Sequence, residues 1–196
     1  MPVELSKGQK VSLSKGAASG EIVINLNWTQ GIPKKGLFGI KKTQSIDLDL
    51  GAFVELTDGT KYVIQALGNA FGNTASAPFV ALDGDDRTGE VSGGENIRVN
   101  GNHLSDIRRM LVFTFIYEGA VSWQQADGVV TVKYPGGDDI IVRLDEHSTD
   151  RKMCAIAEIT NSENILSVSK LIRFFKDHIE MDNAYGWGFR WTAGRK

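Results

Sequence analysis

The stretch LDGDDRTGEVSGGEN, Leu82 to Asn96, gathers Asp83, Asp85, Asp86, Glu90 and Glu95 among four glycines, with Arg87 as its one cation. Carboxylates this close repel one another, and so much glycine rules out a helix or a central strand. The charge needs either full solvation or a cation. A second acidic pair lies in SIDLDL. If this is a strand, Asp47 and Asp49 share one face while Ile46, Leu48 and Leu50 share the other. The rise per residue puts the two carboxylates roughly 7 Å apart. Asp is a poor strand former, so two on one face need a reason. A solvated outer face is one reason, and a metal site is another. Calcium takes about six to eight hard oxygen ligands on a backbone flexible enough to converge, and alternating Asp and Gly supplies both. The loop is not an EF-hand. Counting from Asp83, Arg87 falls on a ligand position and Thr88 on the position of the obligatory glycine.

Other chemistries find less support. Three histidines (His103, His147, His178) and one cysteine, far apart in the chain, give no zinc pattern. No nucleophile elbow, P-loop or dinucleotide fingerprint is present. His178, in KDHIEMD, reads as a structural or exposed histidine. Cys154, inside the apolar run MCAIAEI, reads as a small, unreactive core residue. The aromatic run YGWGFRW, Tyr185 to Trp191, reads as a closing strand packed on the core, with a binding surface as the alternative.

These residues need a scaffold, and the punctuation of the chain points to strands. VELSKGQKVSLSK alternates around a Lys-Gly turn and predicts a paired ribbon. EIVINLNW predicts a strand, and QGIPKKGLFGIKKTQ a loop. SIDLDLGAFVELTDGTKYVIQAL predicts a hairpin turning at Asp58-Gly59. RRMLVFTFIYEGA predicts a strand buried with almost no polar relief. GVVTVKYPGGDDIIVRLDE and KMCAIAEITNSENILSVSKLIRFF predict two further hairpins. Helical signal is confined to NHLSDIRRM and, ambiguously, KLIRFFKDHI. Strands every ten or so residues argue for an all-β sandwich or barrel with few short helices. With 196 residues, 41% of them hydrophobic, the chain reads as a single domain over 1–196 with a real core.

A formal net charge of −2 gives no field that would pull the whole molecule onto nucleic acid or anionic lipid. The N-terminus MPVELSKGQK lacks the apolar core of a signal peptide, and no run is long enough to span a membrane. A lone cysteine allows no internal disulfide. A cytoplasmic protein is expected.

The chain as a whole resembles the tellurium-resistance TerD family of bacterial stress proteins, and within it the TerA-type branch. LSKGQKVSLSK is similar to the family's opening ribbon, VINLNW to its first long strand ending in tryptophan, and SIDLDLGAFVEL to its Asp-x-Asp strand. LDGDDRTGE resembles the family's GDN-L-TGE loop, FTFIYEGA its acid-terminated central strand, and MDNAYGWGFRWTAGRK the TerA-type ending. The resemblance implies a β-sandwich of two sheets that binds calcium through acidic loops at one end. It further implies a role in resistance to tellurite and other stresses, with no established enzymatic reaction. By position, Asp47 and Asp49 match the Asp-x-Asp pair, Asp85 the aspartate of GDN and Glu90 the glutamate of TGE. Asp86 replaces the asparagine of GDN, and Glu118 stands where the central strand has its aspartate. Where family members continue with DGDDE, this chain has SGGEN and keeps Glu95 alone as an acid. The expectation is one calcium of moderate affinity held by Asp47, Asp49, Asp85 and Glu90, with Asp83, Asp86, Glu95 and Glu118 as further members of the acidic set.

Three functions follow for comparison. The first is a non-enzymatic calcium-binding stress protein, a module of a larger assembly with other tellurium-resistance proteins near the inner face of the membrane. The second is a binder of a nucleotide or other anion, possible through a bound metal, although Arg87 is the only cation in the loop. The third, an enzyme reducing tellurite, needs electrons that one cysteine and no dinucleotide fingerprint cannot supply. The first is the expectation, with no nucleic-acid partner.

Overall fold

The computed structural model describes residues 1–13, 20–29, 31–35, 41–84, 93–118, 123–145, 150–163 and 165–192, with residues 31–35, 41–45 and 118 described by their backbone alone. In chain order the strands are β1 (Val3–Glu4), β2 (Lys10–Ser12), β3 (Glu21–Asn27), β4 (Gly31–Lys35), β5 (Lys41–Ser45), β6 (Asp47–Leu56), β7 (Lys61–Ile64), β8 (Gly72–Asn73), β9 (Val80–Leu82) and β10 (Glu95–Asn100). There follow β11 (Ile107–Glu118), helix α1 (Trp123–Ala126), β12 (Val129–Lys133), β13 (Ile140–Arg143), β14 (Met153–Ser162), β15 (Ile165–Phe175) and helix α2 (His178–Tyr185). Short 3-10 turns cover Leu67–Asn69 and Gly101–Asp106. No helix among the described residues is long and apolar enough to cross a membrane.

Two large sheets form. The first runs β1-β13-β12-β3-β10-β9-β8 and the second β2-β15-β14-β11-β6-β7. The period-2 pattern dictates what meets between them. Ile22, Ile24 and Leu26 of β3, with Ile97 and Val99 of β10, face Leu48, Leu50, Ala52 and Val54 of β6 in one continuous core. Removing such aliphatic side chains from water contributes roughly 1.5–3 kcal/mol each. The two-sheet, all-β expectation holds.

The second sheet is apolar on its outer face as well. Phe53, Leu111, Phe113, Phe115, Met153 and Phe175 form a second cluster there, covered by Met181 of α2 and Trp187 beyond it. Burial on both faces is why β11 reads as an unbroken apolar run. Helix α2 is specified locally. Asp177 accepts from the Glu180 amide at 2.9 Å, and Gly186 closes the helix in the left-handed region at φ 66°.

Three local expectations are corrected. The opening segment is not a ribbon paired with itself, because β1 joins β13 in parallel and β2 joins β15. The turn at Gly8 (φ 75°) carries the chain from one sheet to the other, and the Gly8 amide donates to the Lys170 carbonyl at 3.0 Å. QGIPKKGLFGIKKTQ, residues 30–44, expected as a loop, instead contributes to the antiparallel pair β4–β5, where Pro33 is tolerated because both strands are edges. The tail YGWGFRW is packed on the core but is not a strand. Gly186 and Gly188 take positive φ there, and the Gly188 and Phe189 amides are held by a side chain, not a ladder. Lys170–Phe175, where strand and helix were both open, belongs to β15 as the hairpin reading has it, and helix begins only at His178.

Candidate functional site

The acidic residues at one end of the sandwich are positioned from both sheets. In β6 the alternation is as expected. Leu48 and Leu50 enter the core between the sheets, and Asp47 and Asp49 lie on the opposite face, in line with Gly51 and Phe53. They are not on a solvated face, however: Asp49 is fully buried and Asp47 half-buried. The start of this strand is pinned by Trp28, whose indole Nε1 donates to the Ile46 carbonyl at 2.8 Å. Across the ladder Asp49 is the register partner of Phe115 and Asp47 that of Glu118, with an irregularity between Ile116 and Glu118. The acid ending the central strand therefore meets the Asp-x-Asp strand at backbone level. The Glu118 side chain lies outside the described residues.

Glu95 comes from the first sheet. It shares the inward face of β10 with Ile97 and Val99 and is only 3% exposed. Its Oε2 accepts from the Leu50 amide at 2.6 Å. The pairing of β7 with β6 reaches no further than Ala52, so this side of β6 at Leu50 lies past the end of its neighbour. A carboxylate from the other sheet takes the amide that a strand would have taken. Charge-assisted bonds of this kind are short and strong. Glu95 is thus fixed beside the residue that follows Asp49.

The acidic loop is rooted at the same place. Its two ends are closed by the Asp83 amide donating to the Asn96 carbonyl at 2.9 Å. On the return side Asn25 Nδ2 donates to the Gly93 carbonyl at 2.6 Å and to Asn96 Oδ1 at 2.9 Å. Gly94 adopts φ 67°, and a Cβ there would stand 2.0 Å from the Leu26 carbonyl oxygen. No other residue fits that crossing. Asn25, Gly94 and Trp28 are positioning residues that sequence reasoning did not single out. The Gly-Gly pair before β10 and the tryptophan closing β3 were the available signals.

Asp83 goes elsewhere. Both its oxygens accept from Arg98 Nε, at 2.6 and 2.7 Å, while Arg98 Nη1 donates to Glu21, all on the exposed face of the first sheet. Asp85, Asp86 and Glu90 lie outside the described residues. Among the described residues no group of three or more His, Cys, Asp or Glu side chains converges well enough to hold a metal ion. Asp47 and Asp49 lie on one face of β6 with the backbone of Glu118 opposite Asp47, and Glu95 reaches the Leu50 amide of the same strand from the other sheet. The donors are hard carboxylate oxygens of the kind calcium takes.

The remaining chemistry-bearing residues have structural surroundings. Cys154 is fully buried. His178 Nε2 lies 2.8 Å from Gln65 Oε1, and its ring stands edge-on to Phe113 and Phe115. Burial pushes its pKa down to about 4, with Asp177 opposing the shift, so the imidazole is neutral at pH 7.

Residues 1–158 match the TerD domain model. A tellurium resistance protein TerA from an Alcaligenes species is 50% identical over 188 residues, which cover 95% of this chain and 56% of that protein. The chain thus spans about half the length of that curated relative. The crystal structure of a homologue of the telluride resistance protein TerD from Streptomyces coelicolor A3(2) superposes with a TM-score of 0.51 at 17% identity, covering 81% of this chain and 91% of that one. That likeness concerns the fold.

Proposed function

The chain belongs to the TerD domain family, and from that premise we propose that it is a non-enzymatic stress-response protein that binds calcium and serves tellurite resistance as a module of a larger assembly. The observation that carries the reading is the burial of two acids from opposite sheets at the root of the acidic loop: Asp49 on β6, and Glu95 of β10, which accepts from the Leu50 amide. Buried carboxylates of like charge raise one another's energy unless positive charge and hydrogen bonds balance them. Asp47, Asp49, Asp85 and Glu90 would hold the ion, with Asp86 and Glu118 further out. The burial of Glu95 favours it as an inner member of the set. Calcium supplies the positive charge under which these acids coexist. The name of the TerA relative supports the tellurite role, and the partners in this reading are other tellurium-resistance proteins in the cytoplasm at the inner membrane face.

The test is calorimetric titration of metal-stripped protein with calcium. Saturable binding is expected, with magnesium a weak competitor because its tight octahedral demand suits a wide acidic loop poorly. Asp47→Asn with Asp49→Asn should remove the binding. Asp127→Asn, at an exposed turn position, should leave it intact. Absence of binding at millimolar calcium, or a double variant that binds like the parent, overturns the reading.

A further inference from the structure

We propose that a cavity between the β7 end of the second sheet and the segment after β15 binds a small aromatic carboxylate, with Arg190 holding its anionic group. The cavity measures about 220 Å³. Val63, Leu67 and Ala70 line it from the sandwich, while His178, Phe189 and Trp191 line it from α2 and the strap that follows. The match to the TerD domain ends at residue 158, so this second group of residues lies beyond the shared domain. The cavity is therefore not one that the family domain builds by itself, and it draws on none of the acidic residues assigned to calcium.

Size, shape and charge select the ligand. A dry cavity of about 150 Å³ admits benzene, and the extra room here takes about three more heavy atoms, the size of a carboxyl group. Phe189 and Trp191 stand edge to face with ring centroids 5.7 Å apart, and the His178 ring lies 5.0 Å from that of Trp191. A flat ring packs on such walls edge-on or offset, with a gain that a flexible chain lacks. With His178 neutral at pH 7, Arg190 is the one charged side chain in the lining. It is exposed, and among the described residues no carboxylate pairs with it. Its planar guanidinium suits a carboxylate, which it can hold through two parallel hydrogen bonds. Gln65 supplies direction further in. This residue is only 8% exposed, and its Oε1 is engaged by His178 Nε2 at 2.8 Å. Among the described residues no acceptor holds its Nε2, so that donor is open to a ring hydroxyl placed in the cavity.

The experiment is titration of the full chain with para-hydroxybenzoate, followed in proton–nitrogen correlation spectra. A chelator is present throughout, so that the result does not depend on calcium. Saturable shifts of the Trp191 indole and the Gln65 side-chain amide are expected, with the Trp123 indole, which is buried and donates to the Arg151 carbonyl, unmoved. An exposed ion pair is worth up to roughly fivefold in affinity. Arg190→Gln should therefore bind the acid about fivefold more weakly, and the parent should disfavour the uncharged para-hydroxybenzamide by a similar factor. Hexanoate, an acid of similar size without a ring, should bind more weakly than the aromatic acid. Ala70→Leu, which fills the cavity, should abolish binding of acid and amide alike, with thermal unfolding showing that the variant is folded. Arg190 is exposed, so its variant tests the proposal even if the filled one does not fold. The proposal is overturned if the Trp191 indole shows no saturable shift at about 10 mM acid, far above a Kd in the millimolar range. It also fails if Arg190→Gln binds the acid like the parent, if the amide or hexanoate binds as tightly as the aromatic acid, or if a folded Ala70→Leu variant binds unchanged.

Discussion

Asp182 is a sharp test of how the outer face of the second sheet is sealed. This carboxylate is 3% exposed and gathers three donors: the Gly188 amide on Oδ1 at 2.6 Å, and the Phe189 amide and Trp191 indole on Oδ2 at 2.9 and 2.7 Å. The strap it holds puts Trp187, Phe189 and Trp191 around Phe53, at ring-centroid distances of 5.5, 5.0 and 5.7 Å. Asp182→Asn keeps the shape and removes the charge. One oxygen becomes an NH2 group, so in either amide orientation at least one N–H donor loses its acceptor and faces another donor. A hydrogen bond to a charged group is worth about 1.5–3 kcal/mol. With the remaining bonds weakened as well, the cost is roughly 2–4 kcal/mol. In a chain of this size each kcal/mol lowers Tm by about 2–4 °C, so 3 kcal/mol corresponds to a fall of roughly 6–12 °C. The assay is thermal unfolding followed by circular dichroism, paired with tryptophan emission at room temperature. A red shift is expected if Trp187 and Trp191 meet water when the strap loosens. A fall in Tm under about 2 °C, with emission unchanged, would refute the clamp.

Two other perturbations follow from the same geometry. The folded-state pKa of His178, lowered to about 4 by burial, lies below the ordinary histidine value of about 6.5. The unfolded chain therefore takes up the proton first as pH falls, so the contribution is fully present above pH ~6.5 and is lost progressively down to ~4. Allowing for its partial exposure, the loss is about 2 kcal/mol. His178→Gln should flatten stability in that window, and denaturant midpoints that fall equally steeply in parent and variant would contradict the assignment. Cys154→Ala removes a fully buried sulfur and should cost roughly 1 kcal/mol while leaving tellurite tolerance intact. Lost tolerance at normal protein abundance would restore a redox role for the thiol.

Much of this protein was legible before folding. The alternation in SIDLDLGAFVEL set Leu48 and Leu50 against the core and Asp47 and Asp49 away from it, because a strand's period of two leaves no other choice. The turns at Asp58-Gly59 and Pro135-Gly136-Gly137 punctuated the hairpins that the structure contains, since their backbone demands are local. Tertiary structure decided the rest. That Asp49 is buried and not solvated depends on the fold around it, and alternation along one strand carries no information about what covers its far face. Glu95 reads as the last acid of a loop in the sequence. It became a fixed neighbour of Leu50 only when β10 and β6 were brought together across the sandwich, 45 residues apart along the chain. Asp83, alike in type and spacing to its neighbours, was claimed instead by Arg98, 15 residues on. The opening ribbon divided between the sheets because β13 and β15 offered free edges to β1 and β2, and edge pairing is a property of the assembled sheets. Local pattern determines which way a side chain points, and long-range packing determines what it points at.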